Sequence, residues 1–101
     1  MDIITSKNGI PIRLTEERWF HITENHDDLA GHYDDVLHTI EDPDYVIEGY
    51  KNAVIALTKF TKTKFLAVIY KEVSKEDGFV ITAYFTSRLD LEEEVILWQR
   101  K

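Results

Sequence analysis

The sequence predicts an α+β domain, with two N-terminal helices packed on a four- to five-stranded antiparallel meander sheet. Two observations carry this. Apolar residues recur at helical spacing as far as Ile40, and with a period of two after Pro43. The connections after Pro43 are Tyr50-Lys51-Asn52, Thr61-Lys62-Thr63 and Lys75 to Gly78, short enough for antiparallel hairpins. At 101 residues with 44% hydrophobic content, the chain has the size and composition of one domain with a real core.

Residues 1–14 read as a hairpin or extended arm. Lys7-Asn8-Gly9 is the turn between IIT and IPIRL, because Asn and Gly both tolerate positive φ. Pro11 confines the second of these strands to an edge. Residues 15–42 form the helical half. Thr15 is a good N-cap, and Glu16 and Glu17 lie in the first turn, where the helix dipole favours anions. The first helix runs from about Glu16 to Asn25, with Trp19 and Ile22 as its buried stripe and Phe20 nearby. The second runs roughly from His32 to Glu41, with Tyr33, Val36, Leu37 and Ile40 on one side. It stops before Pro43, which disfavours helix in the residue preceding it.

Residues 43–101 form the sheet. Its strands read as Tyr45–Gly49, Ala53–Phe60, Lys64–Val73, Phe79–Thr86 and Val95–Trp98. In the fourth, Phe79, Ile81, Ala83 and Phe85 alternate with Val80, Thr82, Tyr84 and Thr86. The first set is expected in the core. The second is a hydroxyl row that runs out at Ser87-Arg88.

The chain has no cysteine, so disulfides, thiol nucleophiles and thiolate metal sites are excluded. It has no apolar run of membrane-spanning length and no leader pattern at its start, which together predict a soluble cytoplasmic protein with no membrane partner. The net charge of −7 argues against generic nucleic-acid binding. Its distribution is uneven. Residues 1–50 carry three basic and twelve acidic side chains, and residues 51–101 carry nine basic and seven acidic. Between Lys51 and Lys71 there are five lysines and no acid, so one hairpin is a local cationic surface, or a set of lysines guarding strand edges.

Four histidines, His21, His26, His32 and His38, fall within eighteen positions. On one helix His32 and His38 turn about 120° from each other, so they do not share an ion. Asp34 with His38, or Asp28 with His32, could each supply two ligands, but no recognised metal spacing is present. No metal and no cofactor are expected, and His32 and His38 read as solvated surface residues. His21, at the edge of the buried stripe, reads either as a half-buried histidine bonded to backbone or as a general acid, base or phosphate ligand. Thr82, Tyr84 and Thr86 are either β-formers facing water or donors to a phosphate, with Arg88 as its fork and Lys64 nearby on the adjacent strand.

The order of these pieces resembles the phage and prophage nuclease families of the Barnase–EndoU–colicin–RelE superfamily. The resembling stretches are LTEERWFHI with His26 following, the helix ending DVLHTIEDPDYVIEG, the strands KFLAVIYKEV and FVITAYFTSR, and the closing VILWQRK, from about Leu14 to Lys101. The resemblance implies two helices before a four-stranded antiparallel sheet, and metal-independent RNA cleavage by 2′-hydroxyl attack. It carries catalytic roles to His21, Thr82, Thr86 and Arg88. Lys64, Tyr84, Ser87 and His26 become substrate-binding positions, although Asp27 stands where the family places a proline after the histidine. An antitoxin or other protein partner is implied with it. The alternative is a non-catalytic RNA- or protein-binding module on the same fold, a phage or prophage accessory protein, whose acidic residues 24–48 dock a basic partner.

Overall fold

In the computed structural model, which describes residues 1–101, the chain folds in the order β1 (Asp2–Thr5), β2 (Pro11–Leu14), α1 (Glu16–Asn25), α2 (Tyr33–Glu41), β3 (Tyr45–Glu48), β4 (Val54–Thr61), β5 (Lys64–Ser74), β6 (Asp77–Thr86) and β7 (Ile96–Gln99). Single 3₁₀ turns at Asp27–Leu29, Tyr50–Asn52 and Leu91–Glu93 link them. The class is α+β as the periodicity predicts. No helix is long and apolar enough to cross a membrane.

The sheet departs from the expected four- to five-stranded antiparallel meander. It has seven strands in the order β1-β2-β6-β5-β4-β3-β7 and is mixed. The meander accounts for β3 to β6, whose neighbours pair antiparallel. The N-terminal hairpin adds two more strands, because β2 runs parallel to β6 through Ile12↔Gly78 and Arg13↔Phe79. The last strand does not follow β6. It pairs antiparallel with β3 at the opposite edge.

Pro11 is therefore not on an edge strand. It is the first residue of β2, pairs only with Thr5 of β1, and precedes the residues that meet β6, so no ladder bond to β6 needs its missing N–H. A two-pronged ion pair fastens the short parallel seam: Arg13 Nε and Nη2 donate to Asp77 Oδ1 and Oδ2, each at 3.0 Å. The hairpin turn is held further along the sheet. Ser6 Oγ and Asn8 Nδ2 donate to the two carboxylate oxygens of Glu72 at 2.5 and 2.9 Å.

The helices cover one face. Thr15 caps α1 by accepting from the Arg18 N–H at 3.1 Å, as its position predicts. Ile22, Leu29, Val36 and Ile40 are buried against Leu66, Val68, Tyr70, Val80 and Ala83. Phe20 is not part of the stripe; it is 59% exposed. It neighbours Trp19 in sequence and so turns away from the sheet. Trp19 packs edge-on to Tyr33, centroids 5.1 Å apart. The Tyr33 hydroxyl donates to Asp2 Oδ2 at 2.7 Å, and burial together with this bond pushes it up to about 12. Burial also raises the Tyr70 hydroxyl, with Glu72 adding to the effect.

Strand β6 presents a different set of residues to the helices from the one alternation predicts. Val80, Ala83 and Phe85 face the core, and Phe79 and Ile81 do not belong to it. The ladder to β5 pairs Ile69 with Thr82 but Tyr70 with Val80, so Ile81 is an extra residue that inverts the alternation before it. Thr82, Tyr84 and Thr86 still share the face away from the helices. There a smaller cluster, Ile47, Leu57 and Ala67, is covered by Tyr84, Leu89 and Leu91. Leu89 and Leu91 belong to the connection that carries the chain from β6 beneath the sheet to β7.

The β7 edge is fixed by Arg100. It donates to Asp42 Oδ1 at 2.7 Å, to Asp44 Oδ1 at 3.0 Å, and to the carbonyls of Asp42 and Pro43. The bond from Arg100 holds the Asp42 carboxyl below its ordinary value. A group depressed on folding stabilises the fold above its unfolded pKa, about 3.9. That contribution is lost as pH falls through the folded value. The urea midpoint is expected to fall on acidification below about pH 4. Arg100→Ala should make that fall shallower, and an unchanged acid profile in the variant would show that the pair is not coupled to folding.

Candidate functional site

The C-terminal half of β6 has no strand on its outer side, because β2 leaves it after Phe79. The end of α1 and the turn at Asp27–Leu29 lie along that side instead. The His26 N–H closes α1 on the Ile22 carbonyl at 2.8 Å. Its ring then lies against Tyr84, centroids 5.9 Å apart and planes at 36°. The pair puts an imidazole beside the hydroxyl row of Thr82, Tyr84 and Thr86. Thr86 Oγ1 accepts from the Arg88 N–H at 3.2 Å, which fixes the backbone just beyond the strand. Ser87 and the Arg88 side chain are exposed there.

A second group sits on the helix-bearing face at the same end of β6. His32 stands edge-on to Phe60 and Phe85, at centroid distances of 5.4 and 5.3 Å, and these two rings are 4.9 Å apart. Lys64 Nζ lies 4.6 Å from the centre of the Phe85 ring. His32 Nδ1 is 2.9 Å from Asp35 Oδ2, so the imidazole is oriented from both sides. The expectation of a freely solvated His32 therefore does not hold. The residue before α2 is pinned between an aromatic pair and a carboxylate. Phe60 remains 40% exposed, leaving an accessible aromatic surface with a cation beside it.

The predicted residues thus divide into groups. Thr82, Tyr84, Thr86 and His26 come together, and Arg88 follows directly. Lys64 lies across β6 from them, over Phe85. His21 stays on the open side of α1, its side chain 56% exposed and its Nε2 3.9 Å from Glu17. It is neither half-buried nor bonded to backbone. Sequence reasoning missed His32, Phe60 and Phe85 as a unit. The available signal was an aromatic at the end of one strand and a lysine at the start of the next, flanking the Thr61–Thr63 turn, so that the two share a face across it.

No set of three or more His, Asp or Glu side chains is arranged to hold a metal ion. A shallow concavity of about 280 Å³ lies elsewhere, lined by Asp44, Tyr45, Lys59, Arg100 and Lys101. Its arginine is already committed to Asp42 and Asp44.

Chemically, the end of β6 offers imidazoles, several hydroxyl donors, two cations and a stacking surface. The acids Asp27, Asp28 and Asp35 lie in the adjoining turn and helix. Compared with protein families, curated proteins and solved structures, the chain matches none.

Proposed function

We propose that the protein is a small endoribonuclease whose substrate lies over the C-terminal end of β6. The observation that carries this reading is the convergence on that one strand end of His26 at Tyr84, His32 and Lys64 at Phe85, and Arg88 at Thr86. His26 takes the base role, in place of His21 to which the resemblance carries a catalytic role, because of the two only His26 reaches β6. In the proposed step, His26 accepts the proton of a ribose 2′-hydroxyl. The 2′-oxygen attacks the adjacent phosphorus, and the bond from phosphorus to the 5′-oxygen breaks. The 5′-oxygen takes a proton from Tyr84 or from water, leaving a 2′,3′-cyclic phosphate and a 5′-hydroxyl. Arg88, Thr82 and Thr86 supply charge and hydrogen bonds to the phosphoryl oxygens. Lys64 and the exposed Phe60 ring hold a neighbouring nucleotide.

The test is cleavage of a mixed RNA pool by the purified protein in EDTA. His26→Ala is expected to slow cleavage by about 10²–10⁴-fold, the usual contribution of a positioned acid or base. Lys64→Ala should act largely through substrate affinity and salt dependence, and Arg88→Ala should also slow the chemical step. Loss in His21→Ala with retention in His26→Ala would move the base to α1. No cleavage by a folded parent protein would remove the enzymatic reading.

One observation favours a second reading, a non-catalytic RNA-binding module. The His32–Phe60–Phe85–Lys64 group needs no proton transfer to stack a base and neutralise a phosphate. RNA retention without cleavage, abolished by Phe60→Ala, is the outcome that would select it.

A further inference from the structure

The shallow concavity bounded by Tyr45, Lys59 and Lys101 lies across the sheet from β6, yet at the same end of the strands. The strand register joins the two places on one face. Lys59 pairs with Phe65, and Phe65 with Thr86. In the next row Tyr45 pairs with Leu57, Leu57 with Ala67, and Ala67 with Tyr84. Residues opposite each other on paired strands share a face. Both rows therefore lie on the side away from the helices. Thr86 and Tyr84 of the proposed cleavage centre stand at one end of them, and Lys59 and Tyr45 at the other.

The two rows differ in cover. Leu57 and Ala67 are buried, with Leu89 and Leu91 packed against them. The outer row stays open: Phe65 and Thr86 are part-buried and Lys59 is exposed. The connection after β6 thus walls one side of a track whose floor is Phe65. Tyr45 lengthens that floor, its ring edge-on to Phe65 across β4 with centroids 6.2 Å apart. At the far end the cations are uncommitted. Asp44, the one carboxylate lining the concavity, is engaged through both oxygens: Oδ1 accepts from Arg100 Nε at 3.0 Å and Oδ2 from the Lys59 N–H at 2.8 Å. Neither the Lys59 nor the Lys101 ammonium has a carboxylate within ion-pair distance. Strands stand about 4.8 Å apart, so Lys59 lies roughly 10 Å from Thr86. Stacked nucleotides rise roughly 3.4 Å each, so about three of them span the track.

We propose that this track is a second RNA subsite, taking the single-stranded chain that leaves the cleavage centre: a base stacks on Tyr45 and Phe65, and a phosphate beyond it sits between Lys59 and Lys101. The ligand is single-stranded because a base must leave its own stack to lie on an aromatic ring, and a cationic groove beside such rings tracks the backbone. With Lys64 and Phe60 on the other face, the RNA is held on both sides of the scissile phosphate. The subsite rests on the RNA placement proposed above at the end of β6, and its test reads binding and cleavage separately.

Fluorescence anisotropy with 2′-fluoro oligonucleotides, which lack the attacking hydroxyl, measures binding alone. The parent is expected to bind a single-stranded nonamer at least about tenfold tighter than a trimer, the worth of one stacked base. Lys59→Ala and Tyr45→Leu should each shrink that gain several-fold. Tyr45→Leu keeps an apolar side chain over Leu57, and circular dichroism checks the fold of every variant. Lys59→Ala/Lys101→Ala should lower the slope of log affinity against log salt by about 0.7, for the one phosphate the two lysines hold. Lys75→Ala, in the turn at the other end of the sheet, removes the same charge and should leave the length gain intact. A duplex of equal length should compete at least about tenfold more weakly than the single strand. A parental length gain in Lys59→Ala and Tyr45→Leu would overturn the subsite. So would an equal loss in Lys75→Ala, equal competition by the duplex, or a parent that binds no oligonucleotide. Cleavage of the mixed RNA pool is scored beside this. A length gain lost in the variants, with no cleavage by the parent, keeps the subsite and removes the nuclease. Cleavage with no length gain removes the subsite alone.

Discussion

Replacing Gly78 with alanine is expected to destabilise the protein by about 1–3 kcal/mol, the usual range for overpacking a filled site. Gly78 is the point where three strands crowd together: it pairs with Ile12 of β2 on one side and with Glu72 of β5 on the other. A Cβ built there would stand 2.5 Å from Ile12 Cδ1 and 2.6 Å from the Lys71 carbonyl oxygen. The Ile12 methyl can rotate away. The carbonyl oxygen belongs to the β5 backbone and cannot move without disturbing the ladder. The strain therefore falls on the β5–β6 ladder where Lys71 and Glu72 pair with Phe79 and Gly78. In a domain of this size each kcal/mol moves the melting temperature by about 4–8 °C. Differential scanning calorimetry measures this directly. A Gly78→Ala protein that melts with the parent would mean that β2 and β5 do not approach Gly78 so closely. Adding Ile12→Val to the variant should recover only the part of the loss due to the methyl group.

Leu29→Ala is expected to cost more, about 2–5 kcal/mol for truncating a buried leucine. Leu29 has no exposed surface, although it belongs to a single 3₁₀ turn. Its backbone also joins the two candidate histidines. The Leu29 N–H donates to the His26 carbonyl at 3.0 Å, and the His32 N–H donates to the Leu29 carbonyl at 2.9 Å. The side chain thus anchors the segment that presents one imidazole to each face of β6. Under the proposed function, loosening it should weaken RNA binding at temperatures where the rest of the fold is intact. Leu29→Met, nearly equal in volume, should cost under about 1.5 kcal/mol and keep binding. Thermal unfolding and RNA retention measured on both variants separate the two effects. A binding loss equal in both would detach the turn from the site.

Local chemistry was legible in the sequence. The Thr15 cap, the acidic first turn and the change of pattern after Asn25 place α1 at Glu16–Asn25, and Pro43 ends α2. The strands of the meander follow from alternation and short turns, with Lys51 and Asn52 taking positive φ in one of them. What was not legible is non-local. Nothing near Ile12 specifies a partner 66 positions away in Gly78, because a parallel pairing leaves no turn signature. The place of β7 depends on Leu89 and Leu91 finding the underside of the sheet. The inverted face of Phe79 and Ile81 comes from one unpaired residue, and alternation cannot reveal a bulge. The candidate site divides the same way. Thr82, Tyr84 and Thr86 keep their shared face because they lie beyond the bulge. Lys64 is on the other face from them, and His32 gains its aromatic partners only when Phe60 and Phe85 meet across β5.

The reach of Lys7 gives the sheet a property that its strand order conceals. Strands β1 and β7 are the two ends of a seven-strand ribbon. Yet Lys7 Nζ, in the turn that follows β1, lies 4.6 Å from the centre of the Trp98 ring in β7 and 3.7 Å from Asp42 Oδ1. The ribbon is curled around α2 far enough for its opposite margins to be bridged by one side chain. Topologically the molecule is a ring closed by weak contacts, with nearly the whole chain inside the circuit. The two margins, one from each end of the chain, lean on each other through that side chain, and the core is enclosed like the contents of a clasped bracelet.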